Sequence, residues 1–162
     1  MKKIVRILGV TLSLTVLVSC SKDDDNNGPD TNVTESNLKG TYAYTSVSVK
    51  DAVDLNGDGI SNNDLKKEGY KTCTLDNLVE ITEKNYSFIL QGTECSENET
   101  NLLFTYKLNK DTKVLTLFLD GQNAGEITNI EYYEFNGTKR YQYQSYDDNL
   151  KQNVVYGMTS VK

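Results

Sequence analysis

Asp54, Asn56 and Asp58 stand at alternate positions and are followed by Gly59, the sharpest grouping of potential ligands in this 162-residue chain. A hard divalent cation such as calcium takes about 6–8 oxygen ligands at about 2.3–2.6 Å, and the pattern D-x-N-x-D-G supplies side-chain oxygens at that spacing with a glycine permitting the sharp reversal. Asp54, Asn56 and Asp58 are the expected direct ligands, Ile60 offers its carbonyl, Asn62 acts directly or through water, and Asp64 is the next carboxylate. A loop of this spacing wants a bidentate Glu at its twelfth position, where Leu65 stands; Asp64 comes one residue early and Glu68 three late. Calcium is therefore expected as a structural cofactor in the weak, extracellular range of affinity. The alternative is a cluster of Asn-Gly and Asp-Gly turns chosen for positive φ.

Other chemistries find less material. The chain has no histidine, so Ser-His and Cys-His nucleophile pairs and His-containing zinc sites are excluded. Carboxylate pairs such as Asp147-Asp148 or Glu131 and Glu134 occur in any acidic chain and matter only at defined separations across a cleft. No catalytic residue is singled out, and the protein is expected not to be an enzyme. Six tyrosines, Tyr132, Tyr133, Tyr141, Tyr143, Tyr146 and Tyr156, crowd near the C-terminus. Tyrosine faces suit stacking on carbohydrate or peptide, and equally suit cross-strand pairing on a half-exposed sheet. The acidic loop itself resembles the isolated calcium loops inserted between strands of extracellular proteins, since no helix precedes it.

The first residues give an address. Lys2, Lys3 and Arg6 form a basic segment before an apolar run from Ile7 to Val18, too short for a comfortable membrane span. Leu17-Val18-Ser19-Cys20 resembles the lipobox of bacterial lipoproteins, which implies cleavage after residue 19, acylation of Cys20 and anchoring in the outer membrane. Ser21-Lys22-Asp23-Asp24-Asp25 is similar to the lysine-plus-acidic signal of Bacteroidetes-type lipoproteins displayed on the cell surface. Residues 1–19 are thus read as signal peptide and 20–37 as acylated cysteine and flexible acidic tether, too polar to offset the entropy of ordering. Removing the leader takes three basic residues and no acid, leaving 14 basic against 23 acidic groups and a net charge of −9. Phosphate backbones repel such a domain, so no nucleic-acid partner is expected. With Cys20 assigned to the lipid, Cys73 and Cys95 remain as an even pair in an oxidising compartment, where one disulfide is the simplest arithmetic. A metal-binding or nucleophilic thiol is the alternative.

From residue 38 to 162, turn signals recur every eight to twelve residues, as in an antiparallel all-β domain. Eight strands are expected, beginning at Thr41, Leu75, Tyr86, Leu102, Lys113, Ile127, Lys139 and Val154, with an inserted loop over 50–72. Glu83-Lys84-Asn85 and Asn136-Gly137-Thr138 read as hairpin turns. Sequential hairpins without long crossovers favour an eight-stranded up-and-down barrel, because closure removes exposed edges; a two-sheet sandwich is the alternative. The opening Asn37-Leu38-Lys39-Gly40-Thr41-Tyr42 resembles the Gly-x-Trp start of lipocalin-like domains, with Tyr42 in place of Trp. That resemblance implies a lipocalin or calycin-like barrel holding a small apolar or amphipathic ligand. The other reading is a surface interaction protein whose filled barrel meets a glycan or protein partner on its outside.

Overall fold

The computed structural model describes residues 30–92, 95 and 100–161. Among them run nine strands, β1 (Gly40–Val53), β2 (Asn62–Asp64), β3 (Leu78–Ile81), β4 (Asn85–Ile89), β5 (Leu102–Asn109), β6 (Val114–Leu119), β7 (Gln122–Phe135), β8 (Thr138–Asp147) and β9 (Gln152–Ser160). Two single helical turns accompany them, α1 (Glu35–Leu38) and α2 (Thr72–Leu75). From β3 to β9 each strand pairs antiparallel with the next, β1 pairs with β3, and β9 returns to β1 along Tyr42 to Val49. The result is a closed, eight-stranded up-and-down barrel of the lipocalin-like kind, with β2 a short flap on the far end of β1. Closure leaves no long unpaired edge in the ring.

The hairpins close where the sequence supplies positive φ. Asp120-Gly121 between β6 and β7 (φ 51° and 79°) and Asn136-Gly137 between β7 and β8 (φ 52° and 72°) have the signs that two-residue hairpin loops require. Two strands start elsewhere than the sequence predicts. Leu75 lies in α2, where the helical turn carries it into the core, and the strand expected there begins at Leu78. β7 starts at Gln122, five residues before Ile127; its first residues are exposed and polar, and the ladder with β6 holds them extended.

The larger difference is at the N-terminal boundary. Residues 30–37, read as the last part of the tether, pack on the barrel. Asp30 exchanges two backbone hydrogen bonds with Glu134 (3.0 and 2.8 Å), and Thr34 caps α1 by accepting from Asn37 N at 3.1 Å. Val33 and Leu38 join the hydrophobic core, and the Tyr42 hydroxyl donates to the Leu38 carbonyl at 2.9 Å. Two apolar residues and one cap suffice because the barrel end presents apolar surface for them to cover. Lys139 adds hydrogen bonds to the carbonyls of Asn37 and Lys39 at 3.1 and 2.8 Å. Cys20 and the other leader and tether residues before 30 lie outside the described residues.

The opposite end is covered by the connection from β1 to β3. Leu65, Tyr70 and Leu75 are buried there, and the Leu65 N–H donates to Val47 O at 3.0 Å. Between the two ends, alternate residues of every strand point inward. One row across the ladder, Tyr132, Tyr141, Met158 and Tyr44, is buried throughout, and Tyr42, Tyr86, Ile81, Leu115, Ile130, Val47, Val79 and Val154 fill the space around it.

Candidate functional site

Within the inserted connection, the acidic loop is built on its own carboxylates. Asp54 accepts from Gly57 N (2.8 Å) and Gly59 N (2.9 Å), Asn56 Oδ1 from Asp58 N (3.0 Å), and Asp58 Oδ1 from Ile60 N (2.7 Å). The carboxylate that closes the loop is Glu68, with Asp147 one of two buried acids among the described residues. It accepts from Leu55 N at 2.9 Å and from the Asn62 side-chain amide at 2.5 Å. The Asn62 amide and then the Leu55 N–H hold its pKa below the usual glutamate value. Asp64 lies apart, paired with Ser48 in the β1–β2 ladder and accepting from Lys66 N at 3.1 Å. Thus Asp54, Asn56, Asp58, Ile60 and Asn62 are brought into one hydrogen-bonded loop with Glu68, and Asp64 is not. Among the described residues no three His, Cys, Asp or Glu side chains are close enough to hold a metal ion together. The carboxylates here accept from loop N–H groups that would otherwise be left to water.

Cys73 and Cys95 form the expected disulfide, with Cα atoms 5.2 Å apart. It ties α2 to the connection between β4 and β5. Asp147 at the end of β8 anchors the inserted connection to the barrel mouth. Its carboxylate accepts from the Tyr70 hydroxyl at 2.5 Å, Lys71 Nζ at 3.0 Å, Asn149 N at 2.9 Å and Leu150 N at 3.1 Å. Burial alone would raise its pKa, but the Tyr70 and Lys71 hydrogen bonds and the Leu150 N–H outweigh it and hold the group well below the carboxylate range. Asp148 is exposed and among the described residues meets only Lys151, so the Asp147-Asp148 pair is not a joint site.

The crowded tyrosines divide between two faces. Tyr132, Tyr141, Tyr143 and Tyr156 point inward, where Tyr143 and Tyr156 stack at 5.0 Å and Tyr42 meets Tyr141 edge-on at 5.8 Å. The Tyr44 and Tyr143 hydroxyls lie 3.3 Å apart. Burial pushes the Tyr44 phenol up to about 12 and those of Tyr86, Tyr141 and Tyr143 well above 10. Tyr133 and Tyr146 are on the outside, 40% and 57% exposed.

On that outer side, the strands β7, β8, β9 and β1 form the floor of an open groove of about 860 Å³. Two rows cross it, Glu131, Gln142, Gly157 and Ser46 in one, Tyr133, Arg140, Thr159 and Ala43 in the other. Gly157 makes the hollow. A Cβ there would stand 2.3 Å from the Ser46 hydroxyl, so any side chain must displace Ser46 and fill the floor. An extra residue in β1, Thr45, shifts the register beside it and turns its hydroxyl onto the Gly157 carbonyl at 3.2 Å. Gln142 reaches Glu131 at 3.4 Å, whereas Arg140 has no ion-pair or hydrogen-bond partner among the described residues. Neither Arg140 nor Gly157 is marked by spacing in the sequence; the strand register alone brings them together. Glu131 and Glu134, two charges close in sequence, part company, since Glu134 bonds the Tyr132 hydroxyl at 2.5 Å.

The fold and this groove define a class, a closed lipocalin-like barrel with buried tyrosines inside and an open groove on its outer side. No protein-family model matches the chain, and neither does any curated protein or solved structure.

Proposed function

We propose that the protein is a lipid-anchored surface interaction protein that binds a glycan on the outside of its barrel. The observation that carries this reading is the placement of space. The interior that a small-ligand carrier would need is occupied by Tyr42, Tyr86, Tyr141, Leu115, Ile130 and Met158, while the broad hollow lies outside across β7, β8, β9 and β1. An exposed tyrosine ring beside amide, hydroxyl, carboxylate and guanidinium groups is what a saccharide needs: a flat apolar face and several directed hydrogen-bond partners. Binding of the purified protein to an immobilised glycan panel is expected, lost in Tyr133→Ala and Gln142→Ala while thermal melts stay unchanged. A small apolar molecule co-purifying in stoichiometric amount, with no glycan bound, would return the interior-carrier reading.

The anchoring and display rest on the leader and the Lys22-Asp23-Asp24 signal. Globomycin-sensitive processing at Cys20 and protease accessibility on whole cells, reduced when Lys22, Asp23 and Asp24 become alanine, are the expected results. For the acidic loop we infer a structural calcium ion held through Asp54, Asn56, Asp58, the Ile60 carbonyl and Asn62. Support comes from the alternation of these oxygens along one exposed loop. At calcium about a hundredfold above its dissociation constant, linkage stabilises the fold by about 2.7 kcal/mol. The melting temperature should rise with millimolar calcium and fall back on chelation; a melt indifferent to both leaves the loop a set of turns.

A further inference from the structure

Resting on the glycan reading above, we propose that the outer groove selects a carboxylated saccharide, with Arg140 binding the carboxylate and Tyr133 carrying the sugar ring beside it. Arg140 is the single arginine beyond the leader and stands directly across the β7–β8 ladder from Tyr133 and across the β8–β9 ladder from Thr159. Directly opposed residues on one face of a sheet have Cβ atoms about 5 Å apart, so ring, guanidinium and hydroxyl share one patch. An arginine in a protein of net charge −6 would ordinarily find one of 23 acids. Here the nearest acid in the rows, Glu131, is diagonal to it and reached by Gln142, and Arg140 is left exposed with its five donors unpaired among the described residues. A planar guanidinium presents two parallel donors that match a carboxylate bidentately.

Charge then chooses among anions. The domain repels polyanions, and Glu131 within the groove adds to that repulsion, so a sulfated or phosphorylated chain with several charges per unit is disfavoured. Lys113 lines the same groove as a second cation, but Arg140 is the one that stands directly across the ladder from Tyr133, so ring and carboxylate can be met together there. The flat, apolar face of the sugar is left for Tyr133, and Gln142 and Thr159 are placed to meet its hydroxyls.

The test is calorimetric titration of the purified protein with tetrasaccharides of galacturonate, mannuronate and glucuronate-containing type, each paired with its methyl ester. Esterification removes the charge and keeps the sugar. At least one acidic form should bind at least tenfold more tightly than its ester. Arg140→Gln should erase that difference, and Arg140→Lys should restore part of it, with unaltered melts showing that each variant is folded. An ester bound as tightly as its acid, or discrimination surviving in Arg140→Gln, overturns the proposal and leaves the glycan reading standing. Absence of binding by every acidic and neutral saccharide overturns both.

Discussion

The four strands that form the groove carry two faces of opposite character. Inside, the row Tyr132, Tyr141, Met158 and Tyr44 is closed to solvent; one residue along, the row Tyr133, Arg140, Thr159 and Ala43 looks outward. The same backbone therefore fixes a rigid interior and offers a set of side chains that packing does not constrain. The proposed function uses the second, and side chains on it are backed by the buried residues of the core. The two faces should respond to perturbation in different ways.

The most drastic separation comes with alkali. A phenol whose pKa is raised on folding contributes stability that is complete below its unfolded value of 10 and is lost as the pH rises through its folded value. For the buried phenols of Tyr44, Tyr86, Tyr141 and Tyr143 that window opens at pH 10 and runs through about 12 for Tyr44. At pH 11 Tyr44 alone withdraws about 1 kcal/mol from a domain stability of about 5–15 kcal/mol, and Tyr86, Tyr141 and Tyr143 act in the same direction. Absorbance at 295 nm should show their ionisation coinciding with loss of the β-sheet circular dichroism. Interior tyrosines titrating near 10 in a folded protein would break the division.

Single truncations come next. Tyr141→Ala opens a cavity beneath Tyr42 and Tyr143 and should cost about 3–5 kcal/mol in denaturant unfolding, whereas Tyr133→Ala should stay within about 0.5 kcal/mol. Equal losses at both positions would mean that Tyr133 is part of the core.

What the sequence disclosed follows the same division. The crowding of tyrosines in β8 was visible, yet tyrosine fits a buried row and a wet one alike, so which of Tyr133, Tyr141, Tyr143 and Tyr146 face in is settled only by the closed ring. The strand count, the hairpins and the Cys73–Cys95 bridge were legible because turn chemistry and cysteine arithmetic are local. The plug at 30–38 was not: Val33 and Leu38 are too sparse to announce a fold element, and their burial depends on a barrel end built by residues far away in sequence. Likewise Gly157 and Arg140 gain meaning only from the cross-strand register. In the acidic loop the spacing identified Asp54, Asn56 and Asp58 as one unit, while the buried partner, Glu68, stands where no fixed spacing would place it.

A smaller effect is expected where the inner face reaches the barrel mouth. Asp147 is buried and held as a carboxylate by Tyr70, Lys71 and Leu150 N–H. Its folded pKa lies below its ordinary value of 3.8, so its contribution is present above that pH and is lost as the pH falls through the lower folded value. Asp147→Asn should cost about 1–3 kcal/mol at neutral pH, the range for a charged hydrogen-bonded group, and should flatten acid unfolding below pH 4. An unchanged acid limb in the variant would assign that limb to other carboxylates.

The smallest effect, and the sharpest on the nature of the interior, concerns Tyr86. Its hydroxyl and that of Tyr141 are buried without a well-aligned hydrogen-bond partner, although the two side chains lie close enough to influence one another's ionisation. An unmet buried hydroxyl costs about 1–3 kcal/mol in desolvation, so removing it returns that amount, less whatever weak bond it makes. The ring itself should stay, since it packs edge-on against Phe88 at 5.4 Å and is fully enclosed. Tyr86→Phe should therefore change stability by less than about 1 kcal/mol in either direction, with gain the expected sign, and should leave glycan binding untouched. The same substitution on the outer face reads the opposite way. Tyr133→Phe keeps the ring and loses a hydroxyl that water already satisfies, so stability is unmoved and only the groove can register the change. A loss well beyond 1 kcal/mol in Tyr86→Phe would mean that its hydroxyl is bonded in the folded protein, through Tyr141, Tyr143 or a buried water, and that the interior is a polar network rather than an apolar filling.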